Sequence, residues 1–286
     1  MVDIAGPGEP RAVAGNLVTS YAAIGDSFSE GMGDERPDGA PRGWSDLVAS
    51  ALAVAAGGSI GYANLAIRGR LLAPIVEQQL PRALALKPQL LTINGGGNDI
   101  LRPRVSIDQV ADQLVEAALR ASAAGVRTVV VSGGNPTRHI PFGASFERRG
   151  DALTIAVRSR LDGTAVPFVD NWFDPRLPEL AYWSVDRLHL NSRGHAVAAA
   201  NVLATLGVPV DATPGGVGVP DGDPGSSSDL GSSSDLGSPS DLLARPRTAE
   251  YWRRYVLPWI GRRLTGRSSG DHRQAKRATL EPFWVE

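Results

Sequence analysis

The chain has 286 residues, of which 42% are hydrophobic, and 29 Lys/Arg against 30 Asp/Glu give a formal net charge of −1. That length accommodates one α/β domain plus an appendage, and near-neutrality argues against a generic polyanion binder. With no cysteine, disulfides, thiolate metal sites and cysteine nucleophiles are excluded. The charge is unevenly spread: residues 244–286 hold ten Lys/Arg against four Asp/Glu, and the rest hold 19 against 26, so a basic tail follows an acidic body. Residues 1–20 lack the basic start and apolar block of a secretory signal. No run approaches the roughly 18 apolar residues needed to span a membrane, so a soluble, cytoplasmic protein is expected.

Residues 18–24 form an apolar run that reads as a buried strand ended by Gly25. Residues 42–56 read as a helix, with Trp44, Leu47, Val48 and Leu52 spaced for one face. A strand is expected at 60–65, a helix at 73–86, a strand at 89–93 and a strong helix at 107–124. Gly125 stops that helix and opens a fourth strand at 126–132. A helix over 146–161, a fifth strand at 166–169 and a helix over 192–206 complete the body. This alternation predicts a five-stranded parallel sheet with helices on both faces, in a domain spanning 1–210. Ligands of such sheets sit at the carboxyl ends of the strands, so the chemistry should follow the strands directly.

Residues 211–243 read as a flexible linker, with the near-repeat Gly225-Ser-Ser-Ser-Asp-Leu230, Gly231-Ser-Ser-Ser-Asp-Leu236, Gly237-Ser-Pro-Ser-Asp-Leu242. As a coil of about 33 residues it would span roughly 30 Å. Residues 244–286 then regain structure as a basic, Trp-containing helical tail. Trp252, Tyr255, Val256, Trp259 and Ile260 share one helical face, and Pro258 interrupts it.

Four segments place polar residues at the sheet's active edge. Gly25-Asp26-Ser27 follows the first strand. A serine at a sharp strand-to-loop turn exposes its hydroxyl, and glycine permits the turn; the alternative is a turn in which Asp26 merely caps a helix. The flanks are not the G-x-S-x-G elbow of α/β-hydrolases. After the second strand, Gly69 offers an unobstructed backbone N–H or is simply a loop glycine. Asn94-Gly-Gly-Gly-Asn-Asp99 follows the third, with Asn98 as an amide donor and Asp99 as a brace for the loop. Phosphate cradling would call for a following Lys-Ser/Thr or a G-x-G-x-x-G, and neither is there. Asp186-Arg-Leu-His189 precedes the last body helix. Its spacing lets the carboxylate reach the His Nδ1–H, orienting the ring and stabilising the imidazolium formed when His takes a serine proton. Alone, that pattern is equally an ion pair or a helix-start cap, and a metal reading through Asp186, His189 and His195 lacks a further carboxylate cluster. Together the four loops hold what acyl transfer needs: nucleophile, base, orienter and oxyanion donors.

In order, Gly25-Asp26-Ser27, Gly69, Gly96-Gly97-Asn98-Asp99 and Asp186-x-x-His189 resemble the blocks of the SGNH (GDSL-type) hydrolases, over about residues 18–206. More narrowly, residues 64–72, 94–102 and 251–271 resemble an actinobacterial, intracellular subgroup. The resemblance implies a three-layer α/β/α flavodoxin-like sandwich and a serine esterase that uses no metal or cofactor. Ser27 would attack the ester carbonyl, His189 would act as base and then acid, and Asp186 would orient it. The backbone N–H groups of Ser27 and Gly69, with the Asn98 amide, would hold the oxyanion. The expected substrate is a small-molecule ester of a small acyl or acetyl group. A thioesterase or acyltransferase would use the same triad, and a binding module would keep the fold without turnover. Two features depart from the pattern: Phe28 stands where the family has leucine, and the insert 31–39 is placed to shape the acyl pocket.

Around this machinery Asp26, Arg68, His139 and Trp183 are candidate substrate contacts. Arg68 and Arg70 have the alternative of a salt bridge to Asp26 or Asp99, Trp183 that of core packing, and His195 reads as a helix-start or packing residue. The tail is expected to dock on its own acidic body. Contact with an anionic membrane surface is the alternative, since its aromatic and basic residues suit an interfacial helix, and nucleic acid is disfavoured because no base-reading motif accompanies it.

Overall fold

The computed structural model describes residues 17–140, 143–209, 249–251, 253, 255, 257 and 269–284. The linker expected at 211–243 and most of the helix expected from Trp252 to Ile260 lie outside the described residues. Six strands, β1 (Ser20–Ile24), β2 (Ser59–Asn64), β3 (Leu90–Ile93), β4 (Arg127–Val131), β5 (Phe168–Val169) and β6 (Arg277–Trp284), form one sheet. Their order is β5-β4-β3-β1-β2-β6. The first five are parallel, in the doubly wound order of flavodoxin-like sheets.

The sixth strand adds to the five parallel strands expected, and it places a strand in the tail that was expected to be helical. β6 runs antiparallel beside β2, with Ile60 opposite Phe283 and Ser59 opposite Trp284. It is an edge strand that buries only Phe283, so it lacks the apolar alternation by which strands are read, and an edge also tolerates its Pro282.

The central strands are buried on both faces, which is why they read as continuous apolar runs. Tyr21 and Ala23 point to a core shared with α2 (Gly43–Ala55) and α7 (Ser192–Leu206). Ala22 and Ile24, one residue out of phase, point to the opposite core with α5 (Ile107–Ala123) and α6 (Gly143–Leu161). Asn191 caps α7 by accepting from Gly194 N at 3.1 Å, so the Asp186–His189 loop ends where that helix begins. Between β2 and β3 the expected single helix is split. α3 (Leu72–Pro74) and α4 (Leu80–Ala85) flank a π-helical turn at Ile75–Gln79, the wider turn that often accompanies functional sites. Among the described residues no helix is long and apolar enough to cross a membrane.

Candidate active site

β1 and β3 are neighbours, and their following connections leave towards opposite sides, which opens a crevice at their carboxyl ends. Ser27 sits there as the first residue of the short helix α1 (Ser27–Glu30). Gly25 sets up the turn at φ +154°, and a Cβ on it would come within 2.7 Å of Ser29 Oγ. Gln79, delivered by the π-helical turn, accepts from Gly25 N at 2.8 Å and donates to Gly25 O at 3.0 Å, pinning the peptide just before the serine. Asp26 caps α1 by accepting from Phe28 N at 3.1 Å. Capping and an accessible serine are therefore compatible features of one turn, and Ser27 is half-buried. Burial pushes the Asp26 carboxyl up to about 6.

Asp186 and His189 are joined by a 2.6 Å contact between Oδ2 and Nδ1. The other carboxylate oxygen accepts from Ser184 Oγ at 2.7 Å, Leu188 N at 2.9 Å and His189 N at 3.0 Å. Burial alone would raise the Asp186 carboxyl, but His189 and these donors hold it well below the usual carboxylate range. For His189, burial favours the neutral ring, yet the Asp186 charge outweighs it and keeps its pKa above the ordinary value. The pair is thus an ionised carboxylate fixing an Nδ1–H imidazole, which leaves Nε2 as the basic nitrogen.

Gly69 lies at φ +73° in a loop held from both ends. Glu30 accepts from Arg68 N at 2.6 Å and from Arg68 Nε at 2.9 Å, and Asp99 accepts from Leu72 N at 3.0 Å. Among the described residues Arg68 therefore pairs with Glu30, one turn after Ser27, rather than with Asp26 or Asp99, while Asp99 braces the loop. Asn98 Nδ2 donates to Asp26 Oδ2 at 3.2 Å and to Arg70 O at 3.0 Å, which ties the third block to the first and second.

His139 rests on Trp183 with ring centroids 5.7 Å apart. Trp183 is almost wholly buried and donates from Nε1 to Leu177 O at 2.7 Å, so it is a core residue that also walls the cleft. His195 is buried: Nδ1 accepts from Trp44 N at 3.1 Å and Nε2 donates to Met32 O at 3.1 Å. Burial pushes its pKa down to about 4, the state of a neutral packing histidine. With both ring nitrogens so engaged, the grouping of Asp186, His189 and His195 as metal ligands does not form. Among the described residues no three His, Asp or Glu side chains converge as a metal site.

Asp26, Ser27, Gly69, Asn98, Asp186 and His189 all line one cleft of about 610 Å³. His139 is absent from its walls, whereas Arg68 and Trp183 are among them. The profile of the GDSL-like lipase/acylhydrolase family matches residues 23–197, the span that contains all four blocks. The chain belongs to that family. Solved structures share the fold. A catalytic mutant of Axe2, an acetylxylan esterase from Geobacillus stearothermophilus, has a TM-score of 0.57 at 20% identity, covering 68% of this chain and 98% of that one. TesA has a TM-score of 0.51 at 25% identity, covering 65% and 97%. The psychrotrophic esterase EstA from Pseudoalteromonas sp. has 0.52 at 18% identity, covering 66% and 97%. No curated sequence matches the chain.

Within this GDSL-family scaffold, several structural roles were not legible in the motifs. Asp34, inside the insert 31–39, accepts from Arg42 Nε and Nη2 at 3.0 Å each, from Gly43 N at 3.1 Å and from Ser192 Oγ at 2.7 Å. It therefore clasps the insert to the starts of α2 and α7. Gly33 packs so closely on the residue after His189 that a Cβ would lie 2.1 Å from Leu190 O. Besides bringing Met32 to the cleft wall, the insert buttresses the histidine loop. Deeper in, Leu114, Val130, Val157 and Trp172 give the cleft an apolar inner wall. Trp172 lies against Gly150, where a Cβ would come within 2.0 Å of its ring.

Proposed function

We propose that the chain is a serine esterase that hydrolyses carboxylic esters through Ser27, His189 and Asp186. The observation that carries this reading is the Asp186–His189 contact at 2.6 Å, opening on the same cleft as Ser27. His189 Nε2 takes the Ser27 hydroxyl proton as Oγ attacks the carbonyl carbon, and Asp186 stabilises the imidazolium. The oxyanion is held by the backbone N–H groups of Ser27 and Gly69 and by Asn98 Nδ2. The Asn98 proton directed at Asp26, its longer bond at 3.2 Å, turns to the oxyanion as it forms. His189 then protonates the departing alkoxide, and water attacks the acyl-serine by the reverse sequence.

Acetyl and other small acyl esters fit the site. The 610 Å³ cleft with its apolar inner wall lies within the range of roughly 300–1,000 Å³ that accommodates small-molecule ligands. It therefore also supports acyl chains well beyond acetyl, and the same residues would serve a thioester donor. The test is hydrolysis of p-nitrophenyl esters from acetate to decanoate by the wild type and Ser27→Ala. Turnover that disappears in the variant supports the reading, and turnover that survives removes Ser27 as nucleophile.

A further inference from the structure

We propose that Tyr251, from the C-terminal tail, is a positioning residue for the Asp186–His189 pair, so that the catalytic site of the body is completed by the tail. The inference rests on the esterase reading above. Asp186 has three acceptor atoms, and each is engaged. Oδ2 faces His189, Oδ1 receives three donors within its own loop, and the backbone carbonyl accepts from Tyr251 Oη at 3.1 Å. Among the described residues, only that last bond comes from outside the loop.

The next residue reinforces the contact. Arg187 is buried, lies at φ +59°, and places its guanidinium 4.8 Å from the centroid of the Tyr251 ring. A non-glycine residue in left-handed backbone is costly and persists where its surroundings hold it. The cation–π contact to a tail residue is one such hold. Tyr251 is itself buried, and together with Tyr255 and Ser269 it forms part of the cleft wall.

The tail is anchored firmly enough to act this way. Gly270 sits on the oxyanion loop so closely that a Cβ would lie 2.1 Å from Arg68 O. Lys276 Nζ donates to Arg42 O at 2.7 Å and pairs with Asp46 Oδ1 at 2.7 Å in a buried setting. β6 then adds itself to β2. The described tail residues therefore touch both arms of the site, the histidine loop at Tyr251 and the Gly69 loop at Gly270.

The experiment compares full-length wild type, Tyr251→Phe and Ser27→Ala by p-nitrophenyl ester kinetics, pH profile and thermal melting. Tyr251→Phe keeps the ring on Arg187 and removes the hydroxyl that donates to the Asp186 carbonyl. Loss of one such hydrogen bond should lower kcat about 3- to 10-fold with KM unchanged. A loosened Asp186 also supports the His189 charge less, so the acidic limb should move to lower pH by about 0.5. The charged and titratable groups acting on His189 include Asp186, Asp26, Arg68 and His195, and none of these is altered in this variant. The rate of fluorophosphonate labelling gives the same comparison whatever acyl donor the enzyme prefers. A Tyr251→Phe protein matching the wild type in kcat and pH limb overturns the inference. So does one that is slower with a lowered Tm and an unmoved limb, because Tyr251 would then be structural only. If Ser27→Ala retains activity or labelling, the esterase reading itself falls, and that outcome is distinct from both.

Discussion

Replacing Asp186 by Asn tests the acid–base pair with almost no change of shape. The side chain must present one oxygen and one NH2 to two unlike environments. On one side are three donors, Ser184 Oγ, Leu188 N and His189 N, at 2.7, 2.9 and 3.0 Å. On the other is His189 Nδ1 at 2.6 Å. Turning NH2 towards the loop would set it against two backbone N–H groups, and each buried donor left unsatisfied costs about 1–3 kcal/mol. Turning NH2 towards the ring instead requires only that Nδ1 become an acceptor. The second arrangement wins, and it places the ring proton on Nε2, where it cannot accept from Ser27. The fold should survive, with Tm close to wild type, while kcat falls by about 10³–10⁴. Steady-state hydrolysis of p-nitrophenyl acetate with parallel thermal melts measures both. A well-folded Asp186→Asn protein within tenfold of the wild type would refute the tautomer argument.

Two further outcomes follow from the same geometry. His189 must be neutral to take the serine proton, and Asp186 holds its pKa above the ordinary 6.5. The kcat/KM profile should therefore be flat in mild alkali and fall as pH drops through a midpoint above 6.5; a midpoint below 6 would contradict the assigned base. If Asn98 is an oxyanion donor, as proposed, Asn98→Ala should cost about 10²–10³ in kcat with little change in KM, and a loss under tenfold in a normally melting protein would assign Asn98 to loop structure alone.

Much of this architecture is legible in the sequence because it is dictated locally. β1, β3 and β4 are buried on both faces, so they read as largely apolar runs, and each of the four polar blocks follows a strand end or precedes a helix cap. What escapes is set by tertiary partners. β6 buries one side chain in eight, and its pairing with β2 leaves no trace in its own pattern. Gln79 looks like any helix glutamine until a π-helical turn aims it at Gly25. Arg68 has three acidic candidates within reach of its block, and only the fold selects Glu30, which lies one turn along α1 from the serine. Asp34 and Tyr251 act across 158 and 65 residues of sequence respectively, and no local spacing encodes either contact.

If Ser27 is the nucleophile, a reagent that phosphonylates active-site serines should trap it covalently. The full-length protein is treated with a fluorophosphonate, its intact mass is measured, and the modified peptide is sequenced. A single adduct is expected on Ser27, formed more slowly as pH falls below the His189 midpoint and absent in Ser27→Ala. An adduct on another residue, or equal labelling of Ser27→Ala, would contradict it.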